Sequence, residues 1–266
     1  MPVRTTDKTS KGYGSRKVLD AHSLEFSSTR RTGGGTNAIP PATYVTTNLL
    51  MYVDASVSSS YPGSGTTWSD LSGNGRNMTL TNGPTYTSGT PSYFTFDGTN
   101  DYAGTSITTF NNTNNVSGTI EGWVNIPDTT GYRHIFGFRT NNNSFFFLLL
   151  LDSPNTEARV TVNGTNLDIN YNPGSNFWNN WKQIVFTFDR SDHKTRLYVN
   201  GSIVGTSSGT NTNTFGTLPD FQVGGETSAG FYANILGSKF LVYNKALSSS
   251  EVSQNYNAFK SEFGLT

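Results

Sequence analysis

Residues 93–102, YFTFDGTNDY, decide how the chain is read. Phe94 and Phe96 alternate with Tyr93 and Thr95, which is the two-residue period of a strand with one face turned to a core. Asp97–Gly98 ends the run. Glycine reaches the positive φ of a tight turn, and an Asp or Asn side chain bonds to nearby backbone N–H groups. The stretch therefore predicts a strand, a turn shaped by Asp97 and Asn100, and a second strand. The competing reading makes the turn's carboxylates a metal or sugar site.

Moving outward, the same period recurs at short intervals. LLMYVDA (Leu49–Ala55) is strand-like, and in GTIEGWVNI Ile120, Gly122 and Val124 alternate with Glu121, Trp123 and Asn125. RHIFGFR, ARVTVNG, LDINYN, WKQIVFTFD, DFQVGG and GSKFLVYN follow the same pattern. FFFLLLL (Phe145–Leu151) is far short of the roughly 20 residues of a membrane helix and reads as a strand buried on both faces. Asn163–Gly164 and Asn200–Gly201 suit type I′ turns, and TRLYVNGSIVG is the strongest hairpin in the chain. Strands so spaced, with Gly/Asn turns and no helical period between them, predict an all-β, two-sheet antiparallel sandwich.

One helix is signposted. In ALSSSEVSQNYNAFKSEF, Ser248 and Glu251 form a capping box, and Leu247 with Val252 a hydrophobic staple. Val252, Tyr256, Phe259 and Phe263 line one face, so a short C-terminal helix is expected on the sandwich rim.

The composition agrees. A hydrophobic share of 33% supplies sheets with one apolar face each rather than all-apolar helices. With no cysteine, disulfides, thiolate metal sites and cysteine nucleophiles are excluded. No apolar run follows Met1, so the expectation is a protein made in the cytoplasm without a signal peptide and not inserted in a membrane. The Asn-x-Ser/Thr triplets at Asn77, Asn142, Asn163 and Asn200 then carry no weight as glycosylation sites.

The net charge of zero hides an asymmetry. Residues 1–42 hold seven Lys/Arg and three acids, a net +4, and the rest of the chain carries −4. This stretch has no period of either kind and ends in Gly33–Gly35 and Pro40–Pro41, so it reads as an extended basic N-terminal arm before a domain at 43–266. Arg4, Lys8, Lys11, Tyr13, Arg16, Lys17, Arg30 and Arg31 are its candidate partner-binding residues. A docking arm on another protein is favoured over a leader packed on its own domain. A nucleic-acid role is weaker, since +4 over 42 residues is modest.

FTFDGTNDY, GTIEGWVNI, WNNWKQIVFTFD, TRLYVNG, VGG and FLVYNKALSSSEV occur in the order and spacing of laminin G-like jelly rolls. Over residues 48–258 the chain thus resembles the concanavalin A-like lectin/glucanase superfamily. LLMYVDASVSSSYPGSGTTWSDLSGNGRNMTLTNGPTY and YNKALSSSEVSQNYNAFK further resemble the version found in structural proteins of tailed bacteriophages and large DNA viruses. The resemblance implies a jelly roll that serves as a virion component. Capsid decoration or a head fibre is expected first, anchored by the arm to a major capsid or other virion protein, located on the virion surface and homo-oligomeric. The alternative is a glycan-binding module for host attachment, for example in a tail fibre.

Some members of the superfamily bind calcium, for which Asp97 and Asp101 would be the ligands here. Calcium takes six to eight oxygens, and in the late strand, where calcium-binding members often carry another acid, this chain reads Gly237–Ser238–Lys239, so calcium is not favoured and no cofactor is expected. The superfamily's glucanases carry a Glu-x-Asp-x-x-Glu type of run that this chain lacks, and the reading is no enzyme. Glu121, Glu157, Glu226, Glu251 and Glu262 are the body's only glutamates. His22, His134 and His193 lack metal-ligand spacing and read as scattered surface residues. Tyr61, Tyr132, Trp178 and Tyr232, near expected loops, could stack on sugars, and core packing is the competing fate of such rings.

Overall fold

The computed structural model describes Met1 and residues 43–109, 117–127, 133–139, 145–152, 155–162, 165–210, 220–227 and 230–266. The backbone divides between Met1–Ile39 and Pro40–Thr266, and every described element lies in the second unit. The eight arm residues, Tyr132 and the Asn163–Gly164 turn fall outside the described residues.

The first strands are β1 (Leu49–Asp54), β2 (Thr67–Trp68), β3 (Met78–Thr81), β4 (Thr85–Thr87), β5 (Tyr93–Asp97) and β6 (Tyr102–Ser106). Next come β7 (Gly118–Asn125), β8 (Arg133–Arg139), β9 (Phe145–Asp152), β10 (Asn155–Val162), β11 (Thr165–Tyr171) and β12 (Trp181–Asp189). The last are β13 (Lys194–Val199), β14 (Ser202–Thr206), β15 (Asp220–Val223), β16 (Gly225–Glu226), β17 (Phe231–Tyr232) and β18 (Asn234–Tyr243). Helix α1 (Ser249–Phe259) and a 3₁₀ turn (Lys260–Phe263) close the chain.

Sheet A has the order β14-β13-β12-β7-β18-β5-β4, with β1 paired to the second half of β18. Sheet B runs β11-β10-β9-β8-β15-β6-β3-β2, and β16–β17 form a separate small hairpin. Both sheets are antiparallel throughout, so the chain is the expected two-sheet jelly-roll sandwich. At the β13–β14 hairpin, Asn200 and Gly201 have φ of 49° and 75°, the left-handed pair that a type I′ turn needs.

The alternation in β5 is realised, with Phe94 and Phe96 fully buried between the sheets. They meet Trp68, Phe240 and Val124 there, with Phe136, Phe138 and Phe221 of sheet B opposite. The centre of this core depends on Gly122. A Cβ there would stand 2.7 Å from the Phe136 ring and 2.9 Å from Phe240. The missing side chain thus lets two rings from opposite sheets meet over β7.

Two expectations change. The helix caps as predicted: the Ser248 hydroxyl accepts from the Glu251 N–H, and the Glu251 carboxylate accepts from the Ser248 N–H. It does not sit on the rim, however. Leu247 and Val252 pack with Val185, Tyr198, Leu241 and Tyr243, the outward side chains of β12, β13 and β18, so α1 lies across the outer face of sheet A. Strand β7 is consequently buried on both faces rather than one. The second change is His134, which is not a surface residue but fully buried in β8, its Nε2 3.3 Å from the Gln222 carbonyl.

Burying an outer face requires its polar groups to be paired. Glu121, fully buried, accepts from Gln183 Nε2 at 2.9 Å, Trp123 Nε1 at 3.1 Å and Asn255 Nδ2 at 2.7 Å. Asn255 Oδ1 accepts the Val45 N–H at 2.7 Å, and the Tyr243 hydroxyl donates to the Val45 carbonyl at 3.0 Å. Gln183 Oε1 accepts the Gly201 N–H at 2.9 Å, which ties the hairpin turn to the same network.

Two predictions follow from this packing. Gly122→Ala overfills the centre of the core and is expected to cost about 1–3 kcal/mol in denaturant unfolding, whereas an unchanged midpoint would mean that the rings move freely. Burial pushes the Glu121 carboxyl above its ordinary 4.5, with the three N–H donors opposing. The folded state then keeps a proton that the unfolded chain has released, so the group's contribution is greatest below pH 4.5 and falls as pH rises through the folded-state pKa. Glu121→Gln has no such titration. Unfolding curves from pH 4.5 upward should show the wild type losing stability relative to the variant, and parallel curves would refute the burial argument.

Candidate functional site

The expected turn residues come first. Asp97 Oδ1 accepts from the backbone N–H of Thr99 at 2.7 Å and of Asn100 at 3.3 Å, and these bonds hold its pKa below the usual value. Asp101 is buried, its Oδ2 accepts from the Asp97 N–H at 3.2 Å, and burial raises its pKa. Gly98 (φ 74°) lies against Asn234, where a Cβ would come within 2.9 Å of the Asn234 nitrogen. The DGTND stretch is thus a corner whose carboxylates bond to its own backbone.

Lys239 occupies a different environment from an ion-binding acid. It is buried on the outer side of sheet A, 2.6 Å from Asp54 Oδ2 and 2.8 Å from Glu262 Oε2, with the rings of Phe259 and Phe263 about its ammonium. Glu251 is held by its cap and by Lys245. Of the five body glutamates, Glu121, Glu251 and Glu262 are therefore engaged in structural bonds, and the side chains of Glu157 and Glu226 lie outside the described residues.

The candidate sugar-stacking residues are not brought together. Tyr61 is a core residue, 6% exposed, its ring against Tyr86 and Phe94 and its hydroxyl donating to the Gly65 carbonyl. This corrects its reading as a loop ring, and the cause is that the β1–β2 connection folds inward over β5. Trp178 is half-buried beside Phe177 and close to the β11 edge of the sandwich. Tyr232 is half-buried in β17, its ring lying over Gly225.

A groove of about 470 Å³ runs across the outer face of sheet B, within the roughly 300–1,000 Å³ of small-ligand sites. Outward positions of three adjacent strands form it. β3 gives Thr79 and Thr81, β6 gives Tyr102, Gly104 and Ser106, and β15 gives Asp220 and Gln222. The register aligns Thr79, Gly104 and Gln222 in one row, with Thr81 beside Tyr102 and Ser106 beside Asp220 in the rows flanking it. Gly104 is the floor. A Cβ there would meet Gln222 Cγ at 3.6 Å and Tyr102 Cε2 at 3.7 Å, ordinary contacts, so the depression exists because the side chain is absent rather than because space forbids one.

The inward partners of these residues, Met78, Leu80, Ala103, Phe221 and Val223, are all core. The alternation of β3, β6 and β15 thus fixes which side chains face out. Among the described residues the groove presents hydroxyls, amides, one tyrosine ring and one carboxylate, with no Lys, Arg or His in that lining. Partial burial raises the pKa of Asp220. The set offers hydrogen bonds in both directions beside a flat apolar ring. Sequence reading did not single out these residues. The usable signal was the outward half of MTLT, YAGTS and DFQV, which apart from Tyr102 carries only small or polar side chains.

Among the described residues, no helix is long and apolar enough to cross a membrane. Among solved structures, the binding domain of Paraclostridial Mosquitocidal Protein 1 is similar at 18% identity and TM-score 0.64, covering 83% of this chain and 56% of its own. Botulinum neurotoxin type C, whose cell entry depends on interaction with two ganglioside molecules, is similar at 12% identity and TM-score 0.64, covering 80% and 52%. The binding domain of botulinum neurotoxin DC, in complex with rat synaptotagmin II, is similar at 13% identity and TM-score 0.65, covering 81% and 52%. The chain thus spans about half the length of these proteins, and the likeness is one of fold. No curated protein matches. The family model of laminin G type described as the concanavalin A-like lectin/glucanases superfamily matches residues 97–253, from the end of β5 into α1. With more than half of its residues matched and the two-sheet sandwich in place, the chain belongs to the concanavalin A-like lectin/glucanases superfamily.

Proposed function

We propose that this chain is a non-enzymatic glycan-recognition module that binds saccharides in the groove on sheet B. One observation carries the reading: the outer face of sheet A is closed by α1, while sheet B presents a polar groove with an aromatic wall and a glycine floor. Saccharide hydroxyls both donate and accept, which suits Thr, Ser, Gln and Asp side chains, and the flat face of a pyranose suits a tyrosine ring. Interaction of a protein of similar fold with gangliosides, which are sialylated, supports saccharides as the ligand class and not the acidic sugar itself. The absence of catalysis rests on the glucanase carboxylate run missing from the sequence and on the structural bonds of Glu121, Glu251 and Glu262.

The setting we propose is a virion surface, on the strength of the phage-like phrasing at both ends of the domain. The module is displayed outward as a decoration or fibre component, as a homo-oligomer. Its arm, through Arg4, Lys8, Lys11, Tyr13, Arg16, Lys17, Arg30 and Arg31, holds a major capsid or other virion protein. Arm backbone added to a neighbour's sheet edge is a physical route to that contact.

Gly104→Val tests the groove, because a Cβ there makes only ordinary contacts, the added methyls fill the floor, and Val is favoured on a strand. On a glycan array the variant is expected to lose at least about tenfold in binding with its melting temperature unchanged. Binding equal to wild type would place recognition elsewhere. For the setting, particles lacking this protein should bind the full chain and fail to bind a chain beginning at Thr43. Equal binding of the two would assign the contact to the sandwich instead.

A further inference from the structure

We infer that the groove on sheet B selects uncharged saccharides and excludes sialylated, sulfated or uronic forms. This deepens the glycan reading and rests on it. Among the described lining residues the charged group is Asp220, exposed at the start of β15 and paired in register with Ser106. Every other polar group in the described lining is neutral, and none of those residues is Lys, Arg or His.

An anionic saccharide needs donors of positive character to replace the water it gives up, such as a guanidinium, an ammonium or convergent backbone N–H groups. The groove offers none from its side chains. The β3, β6 and β15 amides that point sideways are spent in the ladders between these strands. A carboxylate or sulfate entering near Asp220 would instead face a like charge in a partly desolvated space, the arrangement by which binding sites reject a wrong partner.

An uncharged saccharide meets the opposite situation. Its hydroxyls donate to the Asp220 carboxylate, a charge-assisted bond, and exchange bonds with Thr79 and Gln222. A ring laid over Gly104 contacts Tyr102, whose Cε2 stands 3.7 Å from where a Cβ of Gly104 would be. Asp220 therefore holds the neutral ligand and repels the acidic one.

The test uses the full chain on an array of neutral oligosaccharides of glucose, mannose, galactose and N-acetylglucosamine, with sialylated and sulfated forms of the same cores. Wild type is expected to bind one or more neutral cores and to bind their acidic forms at least about tenfold more weakly. Salt should hardly change the neutral binding. Asp220→Asn, at an exposed position that does not threaten folding, should weaken the neutral core by about tenfold and narrow the gap to its acidic form. If the acidic forms bind as well as the neutral cores, or if Asp220→Asn leaves the gap unchanged, the selectivity inference is overturned while glycan binding stands. If neither class binds, glycan recognition itself fails and the inference with it.

Discussion

The side chain of Asn255 is the hub on which the arrangement of the domain depends. From α1 it accepts the Val45 N–H with one end, and with the other it donates to Glu121 Oε2 at 2.7 Å and to the Tyr243 hydroxyl at 2.9 Å. Three parts of the chain thus meet in one amide: the entry to the sandwich, the central strands of sheet A and the closing helix. A buried acid is costly to ionise, which raises the Glu121 pKa, and Gln183, Trp123 and Asn255 offset part of that cost by converging on it. The network depends on α1, which supplies Asn255 and through it joins Glu121 to Val45.

That constraint determines which face of the sandwich is available. Sheet A spends its outer side chains on α1, with Trp123 stacked on Phe263 and Tyr256, and Lys239 neutralised beneath the last turn. On sheet B, among the described residues, no helix packs over the outward side of β3, β6 and β15, where short polar side chains and the Tyr102 ring line the groove. A sandwich with one sheet sealed by a helix and the other open and polar has a back and a front. Recognition is expected at the front, where the backbone is held rigidly by its ladders and the side chains are short.

Much of the fold was legible in the sequence because its signals are local. The β5 alternation, the Asn200–Gly201 turn and the Ser248–Glu251 cap each depend on residues within a few positions of one another. The position of α1 was not legible, because its partners Val185, Tyr198 and Leu241 are outward residues of strands that alternate like any half-exposed strand. Only Glu121 hinted otherwise, as a lone carboxylate beside a large outward Trp123. Tyr61 misled for a similar reason, since turn-rich sequence around it says nothing of a loop that folds back over Phe94. The groove left the weakest trace. Thr79, Gly104, Ser106 and Gln222 belong to strands that are neighbours in sheet B and distant in sequence, and none is a residue type that announces chemistry.

The central claim is that the open face of sheet B is the face that recognises a ligand. Backbone amide chemical-shift mapping of the full chain, during titration with a saccharide that it binds, tests this most directly. The account predicts that the largest shifts cluster at Thr79, Gly104 and Gln222, with the amides around Glu121 and Asn255 unmoved. Shifts concentrated about Trp178 or along α1, with the groove silent, would contradict it.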